Sequence, residues 1–486
     1  MKGLDIHFQL ISKQLGFILG LEALFIFLSA LVSVYFKEPV AEYLWISGGF
    51  TFVTGILLNW YGHGTNVKYI TKKDSILTVL LSWLLFSIFG ALPFYISGAI
   101  PSITDSIFET MSGLTTTGSS ILTNVEALSK GLLFWRSLIQ WIGGLGMIVF
   151  ALAFLPVMAG GGSTYLFEDE TSGISPDKFR PRIGQVAKRL WFIYLVFTVV
   201  LIILLNIGPM NTFDACCHAF AAMSTGGFST KNASIAYWNS AYVEYVIGIF
   251  SLIGATNFTL WYFFFKGNFK RLFKDEELRW FLSIMLIATF IVTICLYYNK
   301  EYNSFSEAFR ISFFHVTTIF NFYTADFTQW GPFFLVIVSF LVLIGGCGGS
   351  TSGGLKMIRF VILCKSTMNE FSKQIHPKAI IPVRLNGNAV SYNIVQRVLA
   401  FAFLYIATIL VSIGVFTATG IKFEDAWGVA LSGIGNIGPG FGEFGPAGSF
   451  ASMTVFAKWY YSFLMMVGRL ELFTVLILFT PGFWKK

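Results

Sequence analysis

Asp105 precedes Gly118 by thirteen residues, Asp214 precedes Gly227 by thirteen, and Asp425 precedes Gly438 by thirteen. Each interval lies between two long apolar runs and ends in small residues: LTTTGSS, MSTGGFST and GNIGPGFG. A fourth stretch, FSEAFRISFFHVTTIFNFYTADF, has the same layout without a glycine. The chemistry on offer is coordination rather than catalysis. Four such turns meeting around one axis could replace the water around a cation with backbone carbonyls. An acidic residue at a helix start complements the macrodipole and can cap free N–H groups. The opposite, negative helix ends would then point at the centre and favour a cation. Glycine suits such a turn because the backbone there can adopt positive φ. The competing explanation is ordinary extracellular loops with chance glycines among the 47 present. Three identical spacings in equivalent places speak against it.

The elements that would hold these turns are membrane helices. The chain has 486 residues, 55% of them hydrophobic and 12% charged, where soluble domains carry about 25% charged residues. Apolar runs lie near 10–36, 44–61, 76–96, 132–158, 190–207, 243–265, 281–298, 332–364 (interrupted), 398–419 and 455–480. At about 20 residues per span these give about ten crossings. Lys2 and Lys13 precede the first run, which is too long for a signal-peptide core of about 7–15 residues and is expected to be a retained helix. Each candidate half-helix is about ten residues, about 15 Å at helical rise, so it must enter the membrane and turn back. Such non-helical backbone is tolerated at depth only where protein buries it or it lines a wet cavity.

The unit of helix, half-helix, turn and helix occurs four times. The copies are 76–96, 105–114, 115–120 and 132–158; then 190–207, 214–223, 224–230 and 243–265; then 281–298, 306–317, 318–324 and 332–364; then 398–419, 425–434, 435–442 and 455–480. The expected organisation is two N-terminal transmembrane helices in 1–66, then repeats over 67–160, 161–272, 273–375 (its second helix broken) and 376–486.

Net charge is +8, and its placement carries the information. Lys68, Lys72 and Lys73 share one loop, Arg180, Arg182, Lys188 and Arg189 another, Lys266, Lys270, Arg271, Lys274 and Arg279 a third, and Lys365, Lys373, Lys378 and Arg384 a fourth; Lys485 and Lys486 end the chain. These clusters alternate with the glycine turns. The positive-inside tendency makes them cytoplasmic, puts the turns outside and leaves both termini cytoplasmic. Juxtamembrane placement argues against nucleic-acid binding. The five cysteines form no CxxC pair and the five histidines lack metal-site spacing, so no organic cofactor or resident metal is expected.

Two features would lie below the turns. IGGCGGSTSGGLK, 344–356, interrupts the second helix of the third copy. Gly345, Gly346, Gly348, Gly349, Gly353 and Gly354 each cost a helix about 1 kcal/mol. A flexible loop there could act as a gate, and the alternative is a packing kink. No phosphate-loop pattern passes through Lys356 and no serine has the G-x-S-x-G context. Ser350 and Ser352 are expected too deep to meet His218 or His315 as a protease pair, so no enzyme is expected. Arg469 sits in LMMVGRLELF, read as mid-helix. An intramembrane charge usually faces a wet cavity or a partner. It is expected to face the pore as an electrostatic barrier, the alternative being a structural pair with a buried carboxylate. Glu471 is a poor direct partner.

These residues resemble the potassium-translocating subunits of bacterial Trk systems, within the Trk/Ktr/HKT superfamily. The resemblance covers nearly the whole chain: LTTTG at 114–118, QWIGGLGMIV at 140–149, PRIGQVAKRLWFIYL at 181–195, GGFST at 226–230, NFTL at 257–260, GGCGGSTSGGLKMIR at 345–359, HPKA at 376–379 and GRLELFTVLILFTPGFW at 468–484. It implies an all-α polytopic inner-membrane protein with four membrane–pore–membrane repeats in pseudo-fourfold arrangement around one pore, plus two extra N-terminal helices. It implies selective potassium uptake down the electrochemical gradient. It carries the selectivity filter onto Thr115, Thr116, Thr117 and Gly118; Ser224, Thr225, Gly226 and Gly227; Thr318, Ile319, Phe320 and Asn321; and Gly435, Asn436, Ile437 and Gly438. It carries the gate onto 345–356, including Ser350, Thr351 and Lys356, and the pore arginine onto Arg469. It also implies a homodimer and a cytosolic ring of TrkA-like nucleotide-binding regulatory subunits on the basic loops.

One departure stands out. The family's four turns each carry a glycine, but the third here reads TTIFNFYTADF, with Asn321 at the aligned position. Strict spacing from Glu307 chooses Phe320; Phe322, matching Phe228 after Gly227, favours Asn321. Asparagine is the next residue most tolerant of positive φ, so the ring is expected to survive with added bulk and a dipole. The functional alternatives are a sodium- or proton-coupled potassium symporter and a less selective monovalent cation channel. The common orientation of the four repeats argues against the inverted repeats of many carriers.

Overall fold

The computed structural model describes residues 6–65, 71–158 and 180–485. Lys2, Lys68, Lys486 and the expected boundaries at 66–67 and 160–161 lie outside the described residues. The fold is all-α apart from a two-residue antiparallel pairing of Arg384–Leu385 with Asn388–Ala389. Its Asn386-Gly387 turn takes positive φ at both residues, 49° and 84°, as a type I′ hairpin requires.

Two helices, Phe8–Tyr35 and Ala41–Tyr61, open the chain. They pack closely because Gly16 and Gly55 face each other: a Cβ on Gly16 would meet the Asn59 backbone nitrogen at 2.6 Å, and one on Gly55 would meet the Gly16 carbonyl at 2.9 Å. Small residues at such an interface are how apolar helices approach in lipid. Their other faces leave Phe17, Leu24, Val53 and Leu57 exposed. Four long helices then precede four half-helices. Lys72–Gly90 leads to Ile103–Leu114, Arg180–Ile207 to Thr212–Met223, Glu276–Tyr298 to Phe305–Thr317, and Tyr392–Ala418 to Phe423–Gly435. The half-helices have 12 or 13 residues, about 20 Å, too short for the hydrocarbon core of about 30 Å.

The second helices correct the sequence-based expectation of a single break. Lys130–Met158 is continuous. The run 243–265 is instead Ala241–Gly254 and Phe258–Phe265, bent by 100°, and 455–480 is Val455–Arg469 followed by Leu472–Phe479, bent by 117°. Asn257 restarts the first of these by accepting from the Thr259 N–H at 2.9 Å. The second turns at Glu471, whose φ is 64° and whose carboxylate is anchored by Arg359 at 2.7 Å. The run 332–364 yields only Pro332–Ile344, 13 residues, before the loop and a separate helix, Met357–Ile375. Among the described residues six helices are long and apolar enough to cross a membrane singly, and two bent pairs bring this to eight.

The second helices also close a ring. Lys130–Met158 packs on the first and second half-helices, Ala241–Gly254 on the second and third, and Val455–Arg469 on the fourth and first. Pro332–Ile344 packs on the fourth half-helix, and its Phe334 meets Phe320 of the third turn, ring centroids 5.7 Å apart.

Candidate cation filter and the segments beneath it

All four half-helices end in the same way. The N–H of the third turn residue reaches back five positions: Thr117 to the Ser112 carbonyl at 2.9 Å, Gly226 to Ala221 at 2.8 Å, Phe320 to His315 at 2.9 Å and Ile437 to Ser432 at 3.2 Å. This is the long bond of a Schellman ending. The second turn residue is left-handed each time, with φ of 54° at Thr116, 53° at Thr225, 51° at Ile319 and 53° at Asn436. The glycines follow at positive φ, 91° at Gly118, 81° at Gly227 and 97° at Gly438. They are also contact points between turns. A Cβ on Gly118 would run into the Gly226 carbonyl, one on Gly227 into the Asn321 carbonyl, and one on Gly438 would lie 2.7 Å from the Thr117 carbonyl. The four expected filter segments are therefore gathered together, the first turn touching the second and fourth and the second touching the third.

The third turn corrects the expectation for Asn321. The second left-handed residue there is Phe320, φ 61°, and Asn321 is not at positive φ. Two contacts account for this. The Asn321 N–H turns inward to the Thr318 carbonyl at 3.2 Å, a bond the other turns lack. The Phe320 ring is fully buried among His315, Phe327 and Phe334. Strict thirteen-residue spacing, which chose Phe320, thus marks the left-handed residue, while Asn321 carries the carbonyl that meets Gly227.

A brace behind the turns was not read from the sequence. Gln140 holds the second turn bidentately, donating from Nε2 to the Gly226 carbonyl at 2.8 Å and accepting from the Phe228 N–H at 3.1 Å. One helical turn earlier, Arg136 pairs with Glu109 at 2.7 Å, donates to the Ser229 carbonyl at 3.0 Å and covers the Phe228 ring. Glu109 in turn accepts from the Ser120 hydroxyl at 2.9 Å and the Ile121 N–H at 3.0 Å. The available signal was Arg136 and Gln140 at i, i+4 in an otherwise apolar helix, two polar groups sharing one face. In the fourth turn, Ser432 and Ser119 donate to the Gly438 carbonyl at 2.6 and 2.8 Å, and the Tyr461 hydroxyl joins both. His218 bridges the Ser229 hydroxyl, 2.9 Å, and the Asp214 main-chain carbonyl, 2.8 Å. Because Asp214 offers its backbone rather than its carboxylate, this is a brace and not a nucleophilic triad.

The acidic residues at the half-helix starts occupy the first turn rather than the cap. Ser102 and Asn211 accept from the N–H groups of Asp105 and Asp214. The carboxylates reach outward instead: Asp105 to Lys458 at 2.7 Å, and Asp214 from the Thr230 hydroxyl at 2.6 Å.

Beneath the turns, the loop Gly345–Lys356 is a fitted segment rather than a slack one. It enters the bend left open between Gly254 and Phe258. There the Cys347 N–H donates to the Ala255 carbonyl at 2.9 Å and the Thr351 N–H to the Gly254 carbonyl at 3.2 Å. The Thr351 hydroxyl also donates to the Met223 carbonyl at 3.1 Å and lies 3.3 Å from that of Thr225 in the second turn. Gly353 backs onto the fourth turn, where a Cβ would strike the Gly435 carbonyl. Ser350 donates to the Cys347 carbonyl and Lys356 to that of Ser352. A carboxylate that sequence reading passed over latches the loop from outside: Glu277 accepts from the N–H of Gly348 at 2.6 Å and of Ile358 at 3.0 Å.

Arg469 is not mid-helix; it is the last residue of Val455–Arg469, immediately before the bend. Arg469 is 1% exposed. It donates to the Thr351 carbonyl at 2.5 Å and the Gly143 carbonyl at 3.1 Å. Glu471 is engaged by Arg359 instead, and among the described residues Arg469 forms no ion pair. Arg469 therefore ties the loop of the third copy to the continuous helix of the first. The void between it, Gly353, Lys356 and Tyr405 measures about 10 Å³, room for about one water.

The sequence profile described as "TrkH: Cation transport protein" matches residues 46–486. The chain is 34% identical over 485 residues to the Trk system potassium uptake protein TrkH of Salmonella typhimurium, covering 99% of this chain and 100% of that one. The chain belongs to the TrkH family of cation transport proteins. Its identity to the TrkG protein of Escherichia coli strain K12 is 33% over 489 residues, covering 99% of each chain. The crystal structure of the potassium transporter TrkH from Vibrio parahaemolyticus superposes with a TM-score of 0.90 at 33% identity, covering 99% of this chain and 100% of that one. TrkH-family membership places the chain among membrane transporters.

Proposed function

We propose that this chain takes up potassium through a channel-like path, in which the four turns at 115–118, 224–227, 318–321 and 435–438 are the selectivity filter. The observation that carries this reading is the state of the turn carbonyls. Those of Thr116, Thr117, Ile319, Phe320, Asn436 and Ile437 accept no hydrogen bond from any described residue, although all six residues are buried. Buried carbonyls normally have partners, and a dehydrated cation is a partner that six of them can share. The half-helix C-termini add their negative ends. The potassium-uptake names of relatives matched over the full chain length support potassium as the transported substrate.

In this reading Gly345–Lys356 and Arg469 form the gate, a plug pinned by one guanidinium under the ring. The four repeats, with the boundaries expected from the sequence, are the units that build the pore. The basic loops face the cytoplasm, with both termini, from the inner membrane. The active form is a homodimer, and TrkA-like regulatory subunits dock on those loops. The test is competitive flux of rubidium, sodium and potassium into liposomes, with sodium and pH gradients imposed in turn. Channel-like uptake follows the potassium gradient and voltage alone. Uptake that stops when a sodium or proton gradient is collapsed overturns it.

A further inference from the structure

Asn321 is 6% exposed and its amide is engaged on one side only. Nδ2 donates to the Thr225 carbonyl of the neighbouring turn. Oδ1 is also buried and meets no donor among the described residues. The orientation follows from chemistry: the Thr225 carbonyl can only accept, so the amide must present its N–H₂ there and its oxygen elsewhere. At the second turn position, the carbonyls of Thr116, Ile319 and Asn436 meet no donor among the described residues, and Thr225 is the exception. A single side chain thus withdraws one backbone carbonyl from the ring and brings an amide oxygen of the same chemical type to the same neighbourhood.

We propose that the Asn321 carboxamide is itself a cation ligand of the filter, its Oδ1 standing in for the Thr225 carbonyl that its Nδ2 occupies. This rests on the filter reading and adds a specificity-determining group to it. A backbone carbonyl is held by its turn. A side-chain carbonyl moves about two torsions, so this quarter of the ring can follow a smaller ion inward. The number and stiffness of coordinating dipoles are what distinguish potassium from sodium. One mobile ligand in four therefore lowers the preference for potassium relative to an all-backbone ring.

The experiment compares the full chain with Asn321→Gly and Asn321→Leu in competitive rubidium, potassium and sodium flux in liposomes. Asn321→Gly frees the Thr225 carbonyl and is expected to raise the potassium-to-sodium ratio about tenfold, a barrier difference of one decade. Asn321→Leu loses both amide atoms but keeps an apolar side chain of similar bulk against the Thr225 carbonyl, so neither ligand reaches the ion, and it is expected to lower rubidium uptake by about tenfold or more. Thermal stabilisation of the purified chain by potassium over choline provides a second readout, expected to persist in Asn321→Gly and to shrink in Asn321→Leu. If Asn321→Leu does not fold, Asn321→Gly alone decides. An unchanged ratio in Asn321→Gly, or an Asn321→Leu chain that equals the parent in flux, overturns the proposal. Gly118→Ala in the same assay separates the two levels. Unchanged uptake there contradicts the filter itself. Lost uptake there, with unaltered Asn321 variants, contradicts only the ligand role of Asn321.

Discussion

The ring of turns and the layer just beneath it come from the same four repeats and are built on opposite plans. In the ring, four unlike sequences, TTTG, STGG, TIFN and GNIG, share one backbone bond and one left-handed position. Below it, the copies diverge. The first helix runs on through Met158, the second bends by 100°, the third opens into a loop, and the fourth bends by 117° after Arg469. Parts that repeat suit a task every copy shares, the supply of comparable ligands to one ion. Parts that differ suit a task performed once, and here they interlock: the third copy's loop fills the second copy's bend and is pinned by the fourth copy's arginine.

The comparison can be broken most forcefully in the ring. Gly118→Val and Gly438→Val each put a branched side chain at positive φ against a neighbouring turn. Rubidium uptake is expected to fall by about a hundredfold or more, roughly 3 kcal/mol on the barrier. Behind the ring, Arg136→Leu leaves Glu109 as a buried, unpaired carboxylate. Losing one partner of such a pair costs about 3–5 kcal/mol, to be read as a lower melting temperature of the purified protein; a melting curve that does not move would contradict the brace. In the lower layer the sign reverses. Arg469→Ala releases the loop and is expected to raise uptake about tenfold, and a decrease would make Arg469 part of the conducting path rather than its closure. Glu277→Gln, with weaker acceptance from the Gly348 and Ile358 N–H groups, is expected to raise uptake only about threefold, near 0.6 kcal/mol. Faster amide exchange around Gly348 is the accompanying readout.

The ring was the more legible layer, for physical reasons. A half-helix that must stop at depth writes its stop locally, and the expected ends at residues 114, 223 and 317 agree with the observed helices. Positive φ with no space for a Cβ requires glycine, so Gly118, Gly227 and Gly438 stood out by spacing. Asn321 was legible as an exception but not in its conformation. The inward bond to Thr318 and the aromatic pocket around Phe320 are tertiary facts. The lower layer was harder to read because a single glycine beside each bend, Gly254 or Gly468, leaves little trace in an otherwise apolar run. Leu470-Glu471 looks helical until Arg359 and the Thr351 carbonyl are known to lie where they do. The break at 345–356 was visible because six glycines advertise it. Glu277 was invisible as a functional group because its partners are backbone N–H groups at distant positions in the chain. The Asn386-Gly387 hairpin carried a readable signal, and it docks through the Asn386 side chain on the Glu276 N–H at 2.7 Å.

The central claim is that the free carbonyls of the first, third and fourth turns, with the Asn321 amide oxygen beside the second, hold the cation. Anomalous diffraction from crystals soaked in rubidium or thallium salts tests it without relying on a mutant. The account predicts a peak on the axis among the carbonyls of Thr116–Thr117, Ile319–Phe320 and Asn436–Ile437 and the Asn321 amide oxygen, reduced by competing potassium. A strong site elsewhere in the protein, with nothing between the turns, would contradict it.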